Sequence, residues 1–185
     1  MIATLRPVLL LALLALPLAA QADRYRVDAI VFLNPTPSES GHAPQHPEIP
    51  QALSLDDANG LRANGITLLA DTSTVLSAEW NNLRYSKRYQ TLMRLSWTQD
   101  QPVADGGPAL RLYAPSGDGI SGLDGWLRLS AGRFPHLEAD LEYVQTLNGQ
   151  ALAYRLREKR KAPTPTLHYL DSARIGVLAR VSRVE

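Results

Sequence analysis

Three acids stand at alternate positions in one short stretch, Glu138, Asp140 and Glu142, with Leu137, Ala139, Leu141 and Tyr143 between and around them. In an extended chain alternate residues share a face, about 6.6–7 Å apart. That distance overlaps the carboxylate separation of inverting glycosidases. Such pairs oppose each other across a cleft, however, whereas these stand side by side, so the pattern reads first as a solvated strand face. Arg155, Arg157 and Lys159 alternate in the same manner further on, with Arg160 and Lys161 following. Asn148-Gly149 between the two runs is a strong hairpin signal. A hairpin there lays the basic ladder beside the acidic one. Cross-strand pairing would be worth about 0.2–1 kcal/mol per pair, and the cations left over would form a ridge for a polyanion or an acidic partner.

The remaining candidates point away from catalysis. His42 and His46, with Glu48 nearby, lie in a Pro-rich loop, whereas metal ligands at such spacing belong on a helix or a tight, ordered loop. No metal or cofactor is expected. His136 and His168 sit at strand edges without a recognisable nucleophile, since G-x-S-x-G, Ser-x-x-Lys and H-E-x-x-H are all missing from the sequence. The Gly-rich stretches lack the strand-to-helix context and the Lys of a phosphate loop. With no cysteine among 185 residues, a thiol nucleophile, a thiolate metal site and a disulfide scaffold are excluded.

The elements that would position these residues come next. Met1 to Ala22 has the zones of a cleavable secretory signal: Arg6, an apolar run from Val8 to Leu16, and Ala20-Gln21-Ala22. The run is short for a bilayer span of about 20 residues, so stable membrane insertion is not expected. No Cys follows it to accept a lipid. The mature chain would begin near Asp23 and, lacking cysteine, suits a Gram-negative periplasm. Loss of Arg6 brings the basic count from 19 to 18 against 18 acids, a formal charge of zero. Recruitment of nucleic acid by the whole molecule's field is thereby excluded, and any attraction to an anion must be local.

One domain is expected over 23–185, with a Pro-rich loop at 34–50. Tyr25 to Leu33 alternates as a strand whose second face, Arg26, Asp28, Ile30 and Phe32, turns apolar halfway. Leu76, Trp80 and Leu83 make a helical stripe within 74–87, with Thr74 or Ser73 placed to cap it. The stretch 52–69 has no clear period and reads as irregular. Further strands are expected at 89–97, 110–113, 123–129, 137–143, 151–161, 167–169 and 175–181. The fold class predicted is α+β, a mainly antiparallel sheet with one or two covering helices.

Several ordered segments resemble the CsiV-type family of exported peptidoglycan-binding proteins. They are Tyr25-Arg26-Val27-Asp28-Ala29-Ile30-Val31-Phe32 after a signal, Tyr89 leading into Ser96-Trp97-Thr98-Gln99, and Leu123-Asp124-Gly125. Arg133-Phe134-Pro135-His136-Leu137, Asp140-Leu141, Leu167-His168-Tyr169-Leu170-Asp171 and Ile175-Gly176-Val177-Leu178 complete the set. The chain departs from the family where Phe134-Pro135 stands for a Tyr-Leu pair and Ser172-Ala173 for a His-Pro pair. The resemblance implies a non-catalytic periplasmic protein that binds peptidoglycan. It also implies support of a class A penicillin-binding synthase, with that synthase's outer-membrane lipoprotein activator as a further partner. On this reading aromatic faces stack on sugars and Arg grips stem-peptide carboxylates. The contact candidates are Arg133, His136, Arg157, Arg160, His168 and Tyr169. A periplasmic wall hydrolase using Glu138, Asp140 or His136, and a pure protein-interaction adaptor, are the competing readings.

Overall fold

The computed structural model describes residues 23–35, 41–45, 47, 51–100, 107–117, 121–131 and 133–184. The expected signal at 1–22 and the pair His46 and Glu48 lie outside the described residues. In chain order the elements are β1 (Arg24–Leu33), α1 (Ala58–Ala63), β2 (Ile66–Leu68), α2 (Ser77–Tyr85), β3 (Gln90–Gln99) and β4 (Leu110–Pro115). There follow β5 (Gly122–Ala131), β6 (Pro135–Leu147), β7 (Gln150–Lys161), β8 (Leu167–Asp171) and β9 (Ile175–Val184). All strand pairs are antiparallel, in a five-stranded sheet β2-β3-β1-β9-β8 and a four-stranded sheet β4-β5-β6-β7. The α+β expectation holds, with nine strands among the described residues, of which β2 was not expected from the sequence.

Period-two patterning explains why two sheets form and face each other. Val27, Ala29, Val31 and Leu33 of β1 share one buried cluster with Leu112 of β4, Leu123, Leu127 and Leu129 of β5, and Leu137, Ala139 and Leu141 of β6. Trp97 of β3 is fully buried in the same layer. The apolar face of each sheet is thus covered by the other. The second face of β1 is covered differently. Ile30 and Phe32 pack with Leu76 at the start of α2, and Trp80, Leu83, Tyr89 and Leu178 close around them. The apolar turn in β1 and the stripe on α2 are two halves of one contact.

The entry to α2 is anchored on a buried acid rather than on a side-chain cap. Asp28 is fully buried and accepts from Val75 N–H (3.1 Å), Ser96 Oγ (2.6 Å) and the Arg26 guanidinium (2.8 and 2.9 Å). Burial alone would raise its pKa, but Arg26, Ser96 and the Val75 amide outweigh that and hold it below the usual range. The cap expected from Thr74 or Ser73 is not made on the helix itself. Thr74 Oγ1 takes the Leu76 N–H, one residue before the helix, and Ser73 Oγ donates to Ala70 C=O. Between Ala52 and Leu69, where no order was expected, Asp57 caps the single turn of α1 through the Gly60 N–H, and β2 pairs with β3.

Both edges of the four-stranded sheet are met by the segment after β1. His42 bridges Ala153 of β7 at one edge, and Leu53 bridges Leu110 of β4 at the other. Between them the Gln45 N–H lies on the Glu142 carboxylate at 3.2 and 3.3 Å.

Candidate functional site

Because Leu137, Ala139 and Leu141 enter the core, His136, Glu138, Asp140 and Glu142 project from the far side of β6. Asn148 (φ 52°) and Gly149 (φ 78°) close the expected hairpin, and the register sets Arg155 opposite Glu142, Arg157 opposite Asp140 and Lys159 opposite Glu138. On the other flank β5 sets Asp124, Trp126, Arg128 and Ser130 opposite Glu142, Asp140, Glu138 and His136. Arg111 and Tyr113 of β4 continue those rows beside Trp126 and Asp124. The outer face of this sheet is therefore a field of Arg and Lys, with two aromatic rings, laid over a central line of carboxylates.

The acids are not a solvated face, which corrects the reading from sequence. Asp140 is 3% exposed and Glu142 2%. β6 is an inner strand, and the long side chains of both neighbours lean over its short ones. Arg155 holds Asp140 with two bonds of 2.7 Å, diagonal to its register partner. Glu138 accepts from Arg128 at 2.6 Å and from Ser130 Oγ, with Lys159 Nζ at 3.1 Å. Burial would raise the Glu138 pKa, yet the bonds from Ser130, Arg128 and Lys159 together bring it down to about 2. At neutral pH Glu138 is therefore ionised and a poor proton donor, and Asp140 is held by its bonds to Arg155.

The cations are less evenly committed. Arg157 reaches Asp140 only at 3.8 Å, and 77% of its side chain is exposed. An open cleft of about 330 Å³ is lined by Trp126, Arg128, Glu138, Arg157, Glu158 and Lys159. A second, of about 280 Å³, is lined by Ser54, Leu55, Asp56, Arg111 and Tyr113. Trp126 and Arg111 are cross-strand neighbours, so the clefts adjoin along one row of the sheet.

The six residues singled out from sequence do not form one site. His136 and Arg157 share the outer face, and Arg133 stands exposed at its tip, with its guanidinium 5.8 Å from the centre of the Phe134 ring. Arg160 differs from Arg157 by an odd number of positions and so projects from the opposite face of β7, where it pairs with Glu158 at 2.6 Å. His168 is buried, its Nε2 lying 3.2 Å from Pro163 C=O. Tyr169 belongs to the other sheet, stacked on Phe32 at 6.2 Å. Trp126 and Arg128 were not singled out, although their alternation with Leu127 and Leu129 already places them on a polar face. No group of three metal-ligating side chains occurs among the described residues.

No curated protein and no solved structure matches this chain. A family profile does, over residues 5–184, nearly the whole length. Its description is "Peptidoglycan-binding protein, CsiV", and the chain belongs to that family of peptidoglycan-binding proteins.

Proposed function

We propose that the mature chain is an exported, periplasmic and non-catalytic wall binder, and that the outer face of the β4–β7 sheet is its peptidoglycan surface. One observation carries the choice of surface. The buried carboxylates are saturated by their neighbours, while Arg157 and the cleft beside it remain open to solvent. Such a face attracts anions. A wall hydrolase would need a general acid of raised pKa, and Glu138 is shifted the other way. Support of a class A penicillin-binding synthase, together with its lipoprotein activator, rests on the family resemblance.

Co-sedimentation of the mature domain with purified sacculi tests this reading. Binding that weakens as salt rises, without release of soluble fragments, is the expected result. Fragment release would replace the binder with a hydrolase. The synthase proposal is tested separately, by titrating the mature domain against the purified synthase with and without its activator. An absence of any effect on affinity or polymerisation would remove that part alone.

A further inference from the structure

Within the proposed surface, the aromatic rings are already covered. The Arg128 guanidinium lies 5.0 Å from the centre of the Trp126 ring, and Arg111 lies 5.4 Å from that of Tyr113. At the tip, Phe134 has both Arg133 at 5.8 Å and Lys161 at 5.6 Å. A sugar ring stacking on any of these covered faces would have to displace a cation–π contact. The same contacts hold the guanidinium groups against the sheet, as recognition of a planar anion requires. Arg128 Nε is buried and has no hydrogen-bond partner among the described residues. Arg157 presents most of its fork of donors to solvent at the rim of the same cleft.

Resting on the peptidoglycan reading, we infer that this site reads the carboxylates of stem peptides rather than the sugar rings, with Arg157 as the anion-binding residue. The saturated acids beneath supply a fixed negative floor that aligns Arg155 and Arg128 and leaves Arg157 turned to the ligand. Charge complementarity therefore commits the cleft to the peptide portion of the polymer.

The experiment compares three ligands, each fixed to a sensor surface: intact sacculi, the glycan strands left when an amidase removes their stem peptides, and sacculi whose carboxylates have been amidated chemically. The inference expects binding to the first and a loss of about tenfold or more on both of the others, the scale of one charge-assisted contact. Arg157→Gln should weaken binding to intact sacculi by a similar factor with an unchanged melting curve, and Arg157→Lys should recover only part of it. Equal binding to stripped glycan overturns this inference while leaving the wall-binding function standing. A failure to bind intact sacculi overturns the function and the inference with it.

Discussion

Arg157 and Arg160 stand three positions apart, and that odd separation divides them. Arg157→Gln should reduce binding to sacculi, whereas Arg160→Gln, which removes only the exposed partner of Glu158 on the other face, should leave binding intact and cost at most about 1 kcal/mol. Parallel sedimentation and urea melts would check both. The buried acids behave otherwise. Asp140→Asn leaves Arg155 facing a neutral amide in a nearly dry position, so a loss of about 2–3 kcal/mol is expected in urea unfolding. Glu138 sets a pH dependence. Its folded pKa of about 2 lies below the ordinary 4.5, so its contribution is complete above about 4.5 and is lost as pH falls towards 2. Asp28 is shifted in the same direction and adds to the loss. Melting temperature should therefore fall steeply below about pH 4.5, and Glu138→Gln should shallow that fall. A curve identical to wild type would contradict the assignment. Alternation in the sequence showed which face these acids occupy. It did not show how far Arg128, Arg155 and Lys159 lean across them, because that depends on which strands flank β6.

At the scale of elements, β1 and α2 were legible because each carried a clear period, and the apolar half of the second β1 face, Ile30 and Phe32, is what α2 covers. α1 and β2 were not legible, since six and three residues are too few to establish a period. Leu76 joins α2 to that face and is fully buried. Leu76→Ala should cost about 2–5 kcal/mol, with loosening around α2 visible as faster amide exchange there. Two glycines provide a contrast within the four-stranded sheet. Gly125 has φ +146°, and a Cβ there would sit 2.2 Å from the carbonyl oxygen of Asp140, in the backbone of the neighbouring strand. Gly149 has φ +78° in the hairpin with nothing within 4 Å. Gly149→Ala should cost about 1 kcal/mol from its backbone conformation alone, and Gly125→Ala several times that, because strands β5 and β6 must separate to admit the methyl. Comparable urea midpoints for the two variants would refute the close approach.

Over the whole molecule, two sheets sharing a single apolar layer leave the Glu138–Arg157 end of the outer face of β4–β7 open, its Glu142 end being met by Gln45, while the corresponding face of the other sheet is partly occupied by α2. The sequence reading reached the antiparallel class but not the division into two sheets, because pairing partners distant in the chain leave no local mark. The position of the last strand shows what that hides. β9 lies between β1 and β8, paired residue for residue with β1 from Arg24–Val184 to Leu33–Ile175. The four-stranded sheet is a continuous meander and can pair as it is made, but the other sheet cannot close until β9 exists, after all its other strands. A chain made from its N-terminus therefore leaves this sheet open until β9 is complete. Late closure of this kind would suit the export proposed above, since a chain whose β1 flank is still unpaired remains slack enough to be threaded through a narrow pore.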